Sequence, residues 1–234
     1  MKNEKTNKFG RRILSFVLTA GLVAGLMPGN ILTVSAEGTD TAAIYAETPD
    51  FSAAKVLTAV DGTLCIDGVA ITDRKMPAGD YKLESDITTV EHVFTEGSIN
   101  IDLNGHTWNM SAGNLRIDNN VTLSLYDTSG EGTGKITSSY DWTVYVLGSG
   151  STFNLYSGTV ENTSDNVNAK GVSSNCGSSN LYGGTIKSNA YAVFYYLYSN
   201  ITINIDKTSF DCGNGHAQIH TILPSNAKPC AVID

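Results

Sequence analysis

Five segments of this chain align in one register, and that repeat restricts the fold more than any other feature. They are Ile99-Asn-Ile-Asp-Leu103, Val121-Thr-Leu-Ser-Leu125, Ser151-Thr-Phe-Asn-Leu155, Gly177-Ser-Ser-Asn-Leu181 and Ile201-Thr-Ile-Asn-Ile205. Their first, third and fifth positions are mainly apolar, and the second and fourth are Asn, Asp, Ser or Thr throughout. Alternation of period two marks a strand with one buried face. The last residues of successive segments are 22, 30, 26 and 24 positions apart. A meander of hairpins has no reason to repeat one register at such intervals, and two-residue hairpin turn signals are few.

A second column follows each strand after a short turn. Leu103-Asn-Gly-His-Thr-Trp108 matches Leu155-Tyr-Ser-Gly-Thr-Val160, Leu181-Tyr-Gly-Gly-Thr-Ile186 and Ile205-Asp-Lys-Thr-Ser-Phe210. In the remaining repeat, Asp127 to Thr133 lengthens the turn before Gly134-Lys-Ile136. Trp108, Ile136, Val160, Ile186 and Phe210 are thus expected to point inward, with glycines where the backbone turns tightly. A fainter third column contains Leu115-Arg-Ile117, Val144-Tyr-Val146, Gly171-Val172, Val193-Phe-Tyr195 and Ile219-His-Thr221. Three short strands per repeat predict an all-β chain, a right-handed single-stranded parallel β-helix of about five coils.

The ends read differently. Met1 to Arg12 carries five Lys/Arg against one Glu, and Ile13 to Met27 is an uncharged apolar run of 15 residues, short of the roughly 20 a membrane span needs. Val34-Ser35-Ala36 offers small residues for a signal peptidase, with Glu37 the expected mature N-terminus. The expected organisation is a signal peptide over 1–36, a flexible leader over 37–50, an N-terminal cap over 51–77 and the β-helix over 78–234. Tyr81 to Ile87 is expected to be a strand, and Pro224 and Pro229 to stop further coils from adding. The expected location is outside the cell, secreted or at the cell surface, with no membrane span left after signal removal.

Without the first 36 residues the chain holds 10 basic against 22 acidic residues, a net charge of −12. That balance argues against nucleic acid or an anionic membrane as partner. Cys65, Cys176, Cys212 and Cys230 follow no zinc or CxxC spacing; as disulfides they allow three pairings, and free thiols are an equal alternative.

Ala78-Gly-Asp-Tyr-Lys-Leu-Glu-Ser-Asp-Ile87, Ile101-Asp-Leu-Asn-Gly-His-Thr107 and Leu123-Ser-Leu-Tyr-Asp-Thr-Ser-Gly130 with Gly134-Lys-Ile-Thr137 resemble secreted and cell-surface proteins of Gram-positive, gut-type bacteria. Those proteins are similar to the pectate-lyase-like right-handed β-helix superfamily. The resemblance covers about residues 78–222; it implies the fold and says almost nothing about chemistry.

A lyase of that superfamily would gather carboxylates for calcium beside an Arg or Lys base. The mature part has two arginines, Arg74 and Arg116. Arg116 is expected to face solvent with no acid in line with it. Asp102 is expected to share its outward column with Ser124, Asn154, Asn180 and Asn204, a polar ladder without paired acids, where a glycosidase would want two. His106 reads as a turn residue, and His216 and His220 are about 13 Å apart on a strand, too far for one metal ion. No metal site and no cofactor are expected.

The suggestive feature is aromatic. Tyr126, Tyr156 and Tyr182 each follow an inward Leu, so they are expected to face outward and stack at about 4.8 Å, with Asn104 and Asp206 extending the column. Tyr145, Phe194, Tyr196 and Tyr198 lie near the adjacent face, with Tyr140 and Trp142 beside them. Such a ladder stabilises parallel coils by itself; it also suits sugars, with amides and hydroxyls alongside. The reading is an extracellular, non-catalytic, adhesin-like or glycan-binding protein, with polysaccharide or glycan as partner. The alternatives are a carbohydrate-active lyase or hydrolase, suggested by superfamily analogy alone, and a structural spacer of a surface assembly.

Overall fold

Successive coils of the chain lie in register on three parallel sheets that enclose one aliphatic core. The computed structural model describes residues 47–118, 120–196, 202–213, 216 and 218–222, with the backbone of Ile31–Ala36, Ile201 and Cys230–Ile233. The first sheet stacks, in order, Lys55–Val60, Gly79–Leu83, Ser98–Asp102, Thr122–Tyr126, Thr152–Leu155, Ser178–Leu181 and Ile201–Ile205. The second runs from Ile87–Thr88 through Thr107–Asn109, Lys135–Ser138, Thr159–Asn162 and Thr185–Ser188 to Ser209–Cys212. The third runs from Lys75–Met76 through Val93–Thr95, Leu115–Ile117, Trp142–Leu147, Lys170–Asn175 and Tyr191–Tyr196 to Ile219–Ile222. The architecture is a parallel β-helix of about seven coils, where the repeat predicts about five. The two extra coils precede Ser98, and their strands lack the clean alternation of the later ones.

The inner columns are continuous. In the first sheet, Ile101, Leu125, Leu155, Leu181 and Ile205 pair in register, and beside them Ile99, Leu123, Phe153, Ser179 and Ile203. In the second, Trp108, Ile136, Val160, Ile186 and Phe210 align as the repeat predicts. In the third, Leu115, Val144, Val172, Val193 and Ile219 do the same. Each fully buried aliphatic contributes about 1.5–3 kcal/mol of gross hydrophobic stabilisation. Trp108 has no exposed surface, and its indole Nε1–H donates to Thr89 Oγ1 at 3.0 Å, so its one polar atom is satisfied.

One register differs from expectation. Leu125 pairs with Ile101, not Leu103, so the first aligned repeat is shifted by two residues. Leu103 is also fully buried, because the turn after Asp102 keeps it against the core. The segment thus offers two equivalent aliphatics, and the strand uses the earlier one. The polar ladder consequently contains Asn100, and Asp102 stands opposite Tyr126.

The turns from first to second sheet depend on glycine at Gly158 and Gly184, with φ of 80° and 72°. A Cβ on Gly184 would stand 2.5 Å from the Gly158 carbonyl oxygen of the neighbouring coil.

The N-terminal opening is closed by antiparallel pairing. Lys55–Val60 turns back into Thr63–Ile66, which turns again into Val69–Ala70. Both reversals use Asp-Gly, Asp61-Gly62 and Asp67-Gly68, all four residues at positive φ, as two-residue hairpins demand. The strand expected over Tyr81 to Ile87 is two strands, Gly79–Leu83 and Ile87–Thr88, on different sheets. At the other end, Ile31–Ala36 lies between Ile201–Ile205 and Cys230–Ile233, parallel to both. Pro224 and Pro229 lie outside the described residues, but a strand follows them.

Candidate functional site

The outer face of the first sheet is built from three columns that alternate with the buried ones. Ser98, Thr122, Thr152 and Ser178 form a row of hydroxyls. Asp80, Asn100, Ser124, Asn154, Asn180 and Asn204 form a row tied sideways: Asn100 Nδ2 donates to Asp80 at 2.8 Å, Asn154 to Ser124 at 3.0 Å, Asn180 to Asn154 at 2.8 Å and Asn204 to Asn180 at 2.6 Å. The third row begins Lys82, Asp102, Tyr126 and continues through Tyr156 and Tyr182 to Asp206. The last three repeat one bond, their amides donating to the carbonyls of Leu125, Leu155 and Leu181 in the preceding coil.

Tyr126 and Tyr156 are 4.6 Å apart between ring centroids and within 5° of parallel; Tyr156 and Tyr182 are 5.1 Å apart and tilted by 34°. Tyr126 is buried, with Phe51 edge-on to its ring at 5.5 Å, whereas Tyr156 and Tyr182 are half-exposed. An open cleft of about 470 Å³ runs along the phenols, lined also by Thr48, Asp127, Thr128, Ser157 and Lys207. Burial, and then the neighbouring Tyr156 phenol, hold the Tyr126 phenol well above the ordinary tyrosine value, and burial raises Tyr182 as well. Tyr126 and Tyr182 are therefore neutral phenols.

No protein family, curated protein or solved structure matches the chain.

The structure thus brings Tyr126, Tyr156, Tyr182 and Asp206 into one column and leaves Asn104 outside it. Asn104 sits in the following turn at φ 47°, where its Nδ2 donates to the Leu83 carbonyl at 3.0 Å. Asp102 takes the place expected for Asn104. A sequence signal for this existed: Ile101-Asp102 and Ile205-Asp206 repeat the aliphatic-then-outward pair of Leu125-Tyr126. Nothing local signalled Phe51, which reaches Tyr126 from the cap.

At the Tyr126 end of the ladder the carboxylates of Asp102 and Asp127 are bound to the protein, whereas at the Tyr182 end Asp206 is exposed and lies 3.9 Å from Lys207. Asp102 accepts from the amides of Asn104 and Thr128, both at 2.9 Å, and from Thr128 Oγ1 at 2.6 Å. Asp127 accepts from the amides of Gly105 at 2.8 Å and Gly134 at 2.7 Å, and from Ser129 Oγ at 2.8 Å. Burial alone would raise the Asp127 pKa, but hydrogen bonds from Ser129, Gly134 and Gly105 outweigh it and hold the carboxyl below its usual range. Both acids clamp the long turn 127–133 and tie it to the turn at Asn104 and Gly105. On the second sheet, Glu161 lies between Lys135 at 3.3 Å and Lys187 at 3.6 Å, and Lys187 also meets Asp211 at 3.6 Å. Alternating charge separates those acids along the column.

The remaining candidates occupy structural places. His106 closes a turn with its amide on the Leu103 carbonyl, and its Nδ1 is 3.6 Å from Asp86. His216 and His220 both pack on the Tyr191 ring. Among the described residues, no three His, Cys, Asp or Glu are grouped to hold a metal, and Cys65, Cys176 and Cys212 form no disulfide. Arg116 faces outward on the third sheet as expected, but as a stacked side chain: its guanidinium is 5.0 Å from the Phe94 ring and 5.6 Å from Tyr145. Among the described residues no helix is long and apolar enough to cross a membrane. Ala36 pairs with Ile205 at the end of its strand; Glu37 and Tyr198 lie outside the described residues.

Proposed function

We propose that this is an extracellular, non-catalytic surface protein, adhesin-like, that binds glycan along the outer face of its first sheet. The finer assignment, also proposed, is to the secreted and cell-surface branch of the pectate-lyase-like superfamily. The observation that carries the reading is the cleft beside Tyr156 and Tyr182, where phenols at coil spacing stand beside the hydroxyls of Thr128 and Ser157 while Asp102 and Asp127 are bound to backbone amides. Such a surface can hydrogen-bond a chain of sugars, and the two acids at its Tyr126 end are held by the protein.

The parallel stacking of Tyr126 on Tyr156 favours a second reading, a ladder that only stabilises the coils and serves a spacer. Pull-down on immobilised polysaccharides and glycan-array binding with the secreted protein separate the two. On the glycan reading, Tyr156→Ala with Tyr182→Ala abolishes a binding signal that the native chain gives; unchanged binding assigns the ladder to structure alone.

A further inference from the structure

The third row of the first sheet borders two clefts, not one. Lys82 and Asp102 line a cleft of about 360 Å³ with Asn104 and Thr128, and Tyr126, Tyr156 and Tyr182 line the cleft of about 470 Å³ described above. Thr128 belongs to both, so the two are neighbours along one row. The chain just before the first strand meets them at their junction. Pro49, Asp50 and Phe51 border the first cleft and Thr48 the second, and the Phe51 ring lies edge-on to Tyr126 at 5.5 Å. Tyr126 is only 3% exposed there, whereas Tyr156 and Tyr182, which Phe51 does not reach, are half-exposed. The hold on this segment is slight. Its hydrogen bonds are local: the Ser52 amide donates to the Asp50 carboxylate at 2.9 Å and the Ala54 amide to the Phe51 carbonyl at 3.1 Å. Among the described residues, no hydrogen bond joins residues 48–51 to the first sheet. From Lys55 the chain is different, because Lys55, Val56 and Leu57 pair with Tyr81, Lys82 and Leu83. One buried ring thus holds down a segment that ends at a firmly paired strand. Segments with so few bonds to the body open locally at less cost than the core.

We propose that residues 48–51 form a strap that divides one groove, and that lifting it joins the two clefts into a single site for a long glycan chain, with Tyr126 as its middle contact. Closed, the tyrosine side offers Tyr156 and Tyr182, one coil interval of about 4.8 Å; open, the row runs from Lys82 to Tyr182 over four intervals, about 19 Å. A short oligosaccharide is served by the closed form. A polymer gains contacts only when Phe51 leaves Tyr126, so polymer binding shifts the population toward the open strap. The use of the groove rests on the glycan reading above; the cover over Tyr126 does not.

Nitration by tetranitromethane, located by mass spectrometry, reads the strap without any glycan. Tyr81 and Tyr195 are fully buried and serve as controls for the cap and the core. In the native full chain Tyr126 is expected to react more slowly than Tyr156 and Tyr182 but faster than either control. Phe51→Ala is expected to raise the Tyr126 rate about tenfold, the scale of one buried ring, with Tyr81 and Tyr195 unchanged. If that variant exposes Tyr81 as well, Phe51→Leu, which keeps an apolar anchor without the ring, carries the same test. A Tyr126 rate that stays native in the variant overturns the proposal, and so does a strap that moves only when Tyr81 is exposed in both variants. Binding is then read by isothermal titration with xylan, barley mixed-linkage β-glucan and dextran, each as polymer and as short oligosaccharide. Phe51→Ala is expected to tighten binding of a polymer several-fold and to leave its oligosaccharide unchanged. Polymer affinity that Phe51→Ala leaves as it was, but that Tyr156→Ala with Tyr182→Ala abolishes, overturns the strap and leaves the first-sheet reading standing. Absence of binding to every probe here, and to the glycan array, overturns the first-sheet reading and the use of the groove with it.

Discussion

The ring of Tyr126 lies within 5° of parallel to that of Tyr156, 4.6 Å away, and only Tyr182 departs from the stack. The cause is the coil spacing: side chains at one register position on adjacent parallel strands are about 4.8 Å apart, close to the thickness of two stacked rings. Tyr182 has a ring on one side and Asp206 on the other, so it is stacked on one face alone. Within the stack the ring faces are spent on each other, and only edges and hydroxyls meet the cleft. A ligand there must rely on hydrogen bonds.

The three tyrosines therefore differ in what they contribute to stability. Tyr126 is buried between Tyr156 and Phe51, so Tyr126→Ala leaves a cavity and is expected to cost about 3 kcal/mol. Tyr182→Ala removes one tilted pair at the surface and is expected to cost about 1 kcal/mol. Urea denaturation of the two variants checks the ranking; equal costs would mean that the stack, and not burial, sets the energy.

Asp127 links the fold to pH. Its folded-state pKa lies below the ordinary aspartate value, since hydrogen bonds from Ser129, Gly134 and Gly105 overcome the effect of burial. Its contribution is complete above the unfolded pKa, about 3.9, and is lost as pH falls through the folded value. Asp127→Asn forces an amide against the N–H groups of Gly105 or Gly134 and is expected to cost about 1–3 kcal/mol at pH 7. Melting curves between pH 7 and strongly acid conditions should converge for native and variant chains as the pH drops below about 4. Parallel curves would deny Asp127 that role.

Gly184→Ala places a methyl group against the Gly158 carbonyl at a residue with φ of 72°. Neither the angle nor the contact can relax without moving the adjacent coil. The expected loss exceeds about 1 kcal/mol, against a smaller loss for Gly130→Ala, which bears the same φ strain but has open space around its Cβ. Thermal melts of both variants separate crowding from φ strain; an equal loss would assign the whole effect to φ.

Most of the inner surface was legible because a column needs only matching alternation, and Trp108, Ile136, Val160, Ile186 and Phe210 fall where that pattern places them. The first aligned segment was not, since Ile101 and Leu103 are both aliphatic, are two residues apart and are both buried. Alternation has no means of choosing between them, and the choice moved Asn104 out of the tyrosine column and Asp102 into it. The tyrosine ladder followed from single-strand patterning. The cover that Phe51 gives Tyr126 and the stacking of Arg116 on Phe94 join coils or cap through side-chain reach, which no period encodes.

The strand Ile31–Ala36 contains the Val34-Ser35-Ala36 cleavage signature and also occupies the end of the first sheet. Leu32 to Ala36 pair with Ile201 to Ile205, and Ile31 to Val34 with Cys230 to Ile233. Cleavage after Ala36 would withdraw a strand that is paired on both edges and leave backbone donors of Ile201–Ile205 without partners, a costly exposure for a sheet end. The two registers, taken together, set Ile233 level with Ile203, 30 residues earlier, the same interval that separates Leu155 from Leu125. If Ile31–Ala36 were removed, the spacing of Cys230–Ile233 would suit it to take the place of the next coil's strand. Hydrogen exchange on the full chain and on a chain beginning at Glu37 should find the amides of Ile203 and Ile205 protected in both. Loss of that protection in the shorter chain would mean that the edge stays open without Ile31–Ala36.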